Sequence, residues 1–150
     1  MSKFIYRMQN ILNVQYKLED QAKTEFMLAN QILREEEEKL QTLEKRKKGY
    51  EDAVRELLQN QLQVDRIREN QEAIVRMEEY IRAQIVRVEE AAKEVEIKAA
   101  KLTELMQERK AQEKLKEKAF ETFLQEENAR ESKEIDELVS FTYGKKQREE

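Results

Sequence analysis

The chain has no cysteine, no proline, no histidine and no tryptophan, and only two glycines, Gly49 and Gly144. Each absence excludes something. Without cysteine there is no disulfide framework, no thiolate nucleophile and no redox pair. Without histidine the commonest general base and most zinc ligand sets are gone as well. Without proline, and with so little glycine, a fold of many tight turns lacks the residues that supply the backbone angles of turns. No apolar run approaches the roughly 18 residues that span a bilayer. The opening MSKFIYRMQN has no apolar stretch of the kind that marks a secretory signal, so the chain reads as cytoplasmic.

What is present is charge. Charged residues make up 41% of the 150 positions and hydrophobic ones 39%, a mixture typical of long helices and coiled coils. The 29 basic and 33 acidic residues are interspersed, and the net charge is −4. No basic stripe exists to track phosphates, which argues against nucleic acid. The same balance disfavours an anionic membrane surface.

Apolar spacing decides the architecture. Phe26, Ala29, Leu33, Glu36, Leu40, Leu43, Lys47, Tyr50, Val54 and Leu57 follow steps of three and four, a heptad seam with two polar interruptions. Upstream, Phe4, Met8, Ile11, Gln15, Leu18 and Ala22 extend it, with consecutive four-residue steps at Leu18, Ala22 and Phe26 that predict a stutter. A second seam runs through Ile67, Asn70, Ile74, Met77, Ile81, Gln84, Val88, Ala91, Val95, Lys98, Leu102 and Leu105. It weakens at Arg109, Gln112 and Lys116 and recovers at Ala119 and Phe123. Ile135, Leu138 and Phe141 form a last apolar cluster.

These seams predict an all-α fold, a long two-helix antiparallel coiled-coil hairpin forming one domain over residues 1–150. Helix 1 is expected over about 3–58, a turn over about 59–65, helix 2 over about 66–141, and a frayed tail over 142–150. Asp65 is the expected N-cap of the second helix. With Leu57 facing Ile67, the register places Tyr50 opposite Ile74, Leu43 opposite Ile81 and Phe4 near Phe120. Residues beyond about Phe123 then project past the N-terminus. A single seam makes a thin core, so a partner that binds the folded hairpin would stabilise it by mass action.

No catalytic, cofactor-binding or metal-ligating residue emerges. Glu35-Glu36-Glu37-Glu38 points in several directions around a helix and cannot converge on one cation. Lys45-Arg46-Lys47-Lys48 reads likewise as a solvated face. Apolar residues off the seam are more informative. Leu58, Leu62, Val75, Tyr80, Ile85 and Val86 gather toward the turn, and Phe4, Ile5, Tyr6, Met8, Ile11 and Leu12 crowd the other end. A short third helix could cover them, or a protein partner could.

The opening Lys3-Phe4-Ile5-Tyr6-Arg7-Met8-Gln9-Asn10-Ile11-Leu12, with Lys17-Leu18-Glu19-Asp20-Gln21-Ala22-Lys23, resembles the start of the FliJ family of flagellar export proteins. Gln63-Val64-Asp65 through Ile74 is similar to that family's turn region, and Lys133-Glu134-Ile135-Asp136-Glu137-Leu138 to its C-terminal segment. The resemblance implies a non-enzymatic antiparallel hairpin that inserts as a stalk into a hexameric flagellar export ATPase ring and promotes its activity. It further implies contact with the cytoplasmic part of the export gate and escort of substrate-specific export chaperones. The implied location is the cytoplasm, peripherally at the inner face of the cell membrane at the flagellar base. The isolated chain is expected to be a monomer. The residues implied for the ring are Phe4, Tyr6, Arg7, Met8, Ile11, Leu12, Ile135, Asp136, Glu137 and Leu138. Those implied for the gate are Leu43, Tyr50, Met77 and Tyr80, although Arg46 and Ala73 stand where some family members carry aromatics. The alternative is a structural coiled coil, a homodimeric rod or scaffold with no ATPase partner.

Overall fold

The structure, a computed structural model, describes residues 2–60 and 63–149. Two helices account for nearly all of them: α1, Gln9–Asn60, of 52 residues, and α2, Val64–Glu149, of 86 residues. No strand occurs among the described residues. Both helices are built from Glu, Lys, Arg, Gln, Leu and Ala, which lose little side-chain freedom in a helix, and no proline interrupts them. The helices pack against each other as an antiparallel hairpin.

Packing divides the chain into two compact units, Met1–Glu19 with Leu105–Glu150, and Asp20–Glu104. In the second unit, contacts between the helices join Lys47 to Glu78, Glu36 to Gln84, and Glu25 to Lys98. Position falls along α1 as it rises along α2, the signature of antiparallel pairing. The seam residues of both helices are the less exposed ones throughout this unit. Its buried apolar residues are Ala22, Ala29, Ala73, Met77 and Ala91, mostly alanine. Alanine offers little apolar area, so the seam relies on close approach and on satisfying its polar members. Gln84 Nε2 donates to the Glu36 carbonyl at 2.9 Å and to its carboxylate at 2.5 Å. Lys47 lies 3.6 Å from Glu78 and 3.7 Å from Glu51. The polar interruptions of the seam are therefore paired positions.

The first unit repeats the arrangement with a different approach to the N-terminus. Arg109 meets Glu19 and Glu113 meets Tyr16 across the helix pair. Helix 1 does not begin near residue 3 as the sequence suggests; residues 2–6 lie outside any helix and α1 starts at Gln9. The Gln9 amide donates to the Tyr6 carbonyl at 3.1 Å, closing the turn into the helix. Phe4 and Tyr6 are half-buried while Ile5 is exposed, a period of two that extended backbone provides and a helix does not. Phe4 packs edge-on against Phe120, centroids 5.2 Å apart, and at 5.4 Å from Phe123.

The expected stutter is absent. From Leu12 the interface runs Leu12, Gln15, Glu19, Ala22, Phe26 and Ala29, an unbroken heptad in phase with the rest of α1. Leu12 is 1% exposed, whereas Ile11 is 46% exposed, and Met8 and Leu18 are exposed too. The helix keeps the phase set downstream, and Arg109 makes it tolerable to bury a carboxylate at Glu19.

At the other boundaries, the Ile67 amide donates to the Gln63 carbonyl at 3.0 Å, so Gln63 occupies the cap position. Asp65 lies inside the first turn of α2, where its charge favours the positive end of the helix dipole. Of the expected turn, Gln61 and Leu62 lie outside the described residues. The segment 142–149, expected to be frayed, continues α2, with Lys146 and Arg148 in its last turn.

Candidate protein-binding surfaces

Among the described residues no group of three or more acidic side chains could hold a metal ion. Glu36 turns inward to Gln84, while Glu35, Glu37 and Glu38 face outward. The Gln84 amide donating to it, followed by Lys39 nearby, holds the Glu36 carboxyl below its ordinary range. No helix among the described residues is long and apolar enough to cross a membrane.

In the first unit, a polar network lies beside the seam. Tyr16 Oη donates to Glu113 at 2.8 Å, and Arg109 Nη1 donates to the other Glu113 oxygen at 3.1 Å. Arg109 Nε donates to Glu19. The Tyr16 hydroxyl, then Arg109, stabilise the charged Glu113 and lower its pKa, while the Glu113 carboxylate raises that of Tyr16. Further along, Tyr6 Oη donates to Gln112 at 3.0 Å, and Arg130 donates to Ser2 Oγ at 2.6 Å and to Glu127. Residues 2–6 thus lie along α2, fastened at Arg130, Phe120 and Gln112.

The suggested ring-facing residues all fall in this unit but not on one patch. Phe4 and Tyr6 are half-buried against α2, and a groove of about 520 Å³ runs beside them past Ile5, Arg7 and Met8 to Phe123 and Glu126. Arg7, Met8 and Ile11 are exposed. Leu12 is not available to a partner; it is the most deeply buried side chain among the described residues. Ile135, Asp136, Glu137 and Leu138 are exposed, and every described residue from Asn128 to Tyr143 is exposed with them.

The suggested gate-facing residues lie in the second unit. Tyr80 is 54% exposed, but Met77 is 5% exposed and Leu43 and Tyr50 are half-buried in the seam. Those three hold the helices together, and Tyr80 alone of the four offers a free face. Leu58, Val75, Ile85 and Val86 remain exposed as well, and no third helix covers them among the described residues. Leu62 lies outside the described residues.

Sequence reasoning missed two surfaces. Val14 joins Ile11 and Leu18 in an exposed apolar stripe on the first unit. Its signal was a heptad displaced by one residue from the true seam. Val139 and Tyr143 add to the exposed cluster of Ile135, Leu138 and Phe141; the helical spacing i, i+3, i+4 of Ile135, Leu138 and Val139 carried that signal.

Two long helices closed as an antiparallel pair, with apolar residues left exposed on both units, define the class: a long helical hairpin. The family model for the flagellar FliJ protein matches residues 3–148, and the chain belongs to that family. It is accordingly a flagellar export component. Among solved structures, one described as a YscO homolog, CT670, from Chlamydia trachomatis superposes with a TM-score of 0.76. It is 22% identical and the match covers 99% of this chain and 100% of that one, a likeness of fold. No curated protein matches the chain.

Proposed function

We propose that this chain is a non-enzymatic stalk of the flagellar export apparatus, inserted through its first unit into the hexameric export ATPase ring. The observation that carries the reading is the family match over residues 3–148. The exposed end of α2 supports it: a lone amphipathic helix with Ile135 and Leu138 uncovered is a shape that a ring pore accepts. On this reading Arg7, Met8, Ile11, Ile135, Asp136, Glu137 and Leu138 meet the ring, while Phe4, Tyr6 and Leu12 brace the surface from behind. The second unit contacts the cytoplasmic part of the export gate through Tyr80, with Leu43, Tyr50 and Met77 fixing the helix that carries it. The chain also escorts substrate-specific export chaperones and works in the cytoplasm at the inner face of the membrane.

The mechanism is binding alone. A stalk that favours the assembled ring raises ATP turnover by mass action on assembly. Turnover by the partner ATPase, measured with and without the chain, tests the reading. Stimulation that disappears when Met8 and Ile11 both become Ser supports it; no stimulation by the unaltered chain rejects it.

A further inference from the structure

Residues 2–8 carry two apolar patterns that no single conformation can bury together. The structure uses one of them: Phe4 and Tyr6 face α2 from extended backbone, and Ile5 between them is 77% exposed. The other is a heptad. Upstream from Ala29, the interface line of α1 passes through Phe26, Ala22, Glu19, Gln15 and Leu12, and the same steps of four and three then reach Met8 and Ile5. In a helix, Phe4 and Tyr6 stand about 200° apart and cannot both face α2, whereas Ile5 and Met8 share the inner face.

The first unit accommodates that second pattern. The seam of α2 runs on through Gln112, Lys116, Ala119 and Phe123 in steps of four, three and four, and all of them are half-buried. The groove of about 520 Å³ beside the strap is bordered by Ile5 and Met8 on one side and by Ala119 and Phe123 on the other. The observed start of α1 is also weak. Met8, whose carbonyl accepts from the Leu12 amide at 3.1 Å, holds the cap position with a thioether, a poor acceptor, and the first turn has no acidic residue. Ser2 is a preferred cap residue, and no glycine or proline separates it from Met8. Its Oγ now accepts from Arg130 at 2.6 Å; at a helix start it would accept from a backbone amide instead.

We propose that residues 2–8 are a two-state switch. In one state they form the observed strap, held by Phe4 on Phe120 and Phe123, Tyr6 on Gln112 and Ser2 on Arg130. In the other they continue α1 to a cap at Ser2, with Ile5 and Met8 in the seam and Phe4 and Tyr6 released. Each state buries two residues that the other presents. A partner that grips Ile5 and Met8 selects the strap, and one that grips Phe4 and Tyr6 selects the helix. The consequence for function rests on the stalk reading: with Met8 among its contacts, the ring holds the strap state.

Phe4→Ser tests the switch, because serine and phenylalanine have about the same helix propensity. Position 4 lies outside both helices, and circular dichroism verifies that these persist. NMR of the full chain gives Cα chemical shifts and amide exchange for residues 3–8. In the unaltered chain the shifts should be non-helical. The Tyr6, Arg7 and Met8 amides, which have no backbone partner among the described residues, should exchange freely. In Phe4→Ser the shifts should turn helical, and exchange at Met8 should slow at least about tenfold. Phe4→Ser with Ile5→Ser should lose that helix again, since Ile5 anchors it to the seam. Helical shifts in the unaltered chain, a disordered segment in Phe4→Ser, or a helix that survives in the double variant each overturn the proposal. These measurements use the chain alone. Their failure leaves the stalk reading in place, and a ring that the chain does not stimulate removes that reading and leaves the switch standing.

Discussion

Arg109 Nε lies 2.5 Å from a Glu19 carboxylate oxygen, and the Glu19 side chain is only 4% exposed. A carboxylate taken out of water survives as a charge only when it is paired. The pair joins α1 to α2 in the first unit. Removing Arg109 therefore takes a cationic partner from a buried carboxylate, while removing both leaves no carboxylate there to satisfy.

From this follows an asymmetry between single and double variants. Arg109→Leu should lower the melting temperature more than Glu19→Leu combined with Arg109→Leu, because the double variant leaves no buried charge. Thermal unfolding followed by circular dichroism ranks the two; equal losses would mean that the buried Glu19 does not depend on Arg109.

Adjacent residues on α1 should differ sharply. Leu12→Ala removes the most buried side chain and should cost about 2–4 kcal/mol. Ile11→Ala, half exposed, should cost less than about 1 kcal/mol. Urea titration of the two variants distinguishes this interface from one displaced by a residue, which would reverse the order.

Acid should weaken the hairpin in a definite window. Glu36, Glu113 and Glu127 have folded pKa values below the ordinary 4.5. Their contribution is complete above that value and is lost as pH falls through the lowered folded values. Tyr16 is raised above 10.0, so its contribution holds below pH 10.0 and disappears as pH climbs past its folded value. Melting temperature against pH should be flat near neutrality and fall at both extremes, and Tyr16→Phe should flatten the alkaline limb.

Gly49 sits inside α1, and beyond its chain neighbours and its own helical backbone no described atom lies within 4 Å of an added methyl group. No close approach requires it, and its backbone is helical. Gly49→Ala should stabilise the chain by about 0.5–1 kcal/mol, chiefly by restricting the unfolded state, as a shift in urea midpoint would register.

Much of this architecture was legible before any coordinates. The steps from Phe26 to Leu57 and from Ile67 to Leu105 define two helical faces, and the residues on them are the less exposed ones. Even the weak positions Arg109 and Gln112 continue the second face, since each bonds across to α1 or to the segment before it. The surfaces were less legible. Met77 and Leu12 are apolar residues like their exposed neighbours, and composition does not tell a residue that anchors a partner from one that anchors the fold.

Alone, the sequence determined that the chain is helical, that it folds back once, and that its seams are heptads, because a period of 3.5 residues survives any detail of packing. Tertiary structure decided the phase at the N-terminal end. Ile11 and Leu18 are greasier than Glu19, and a one-dimensional pattern places them inside. A guanidinium from the facing helix meets the buried Glu19 carboxylate, and that neighbour is 90 positions away.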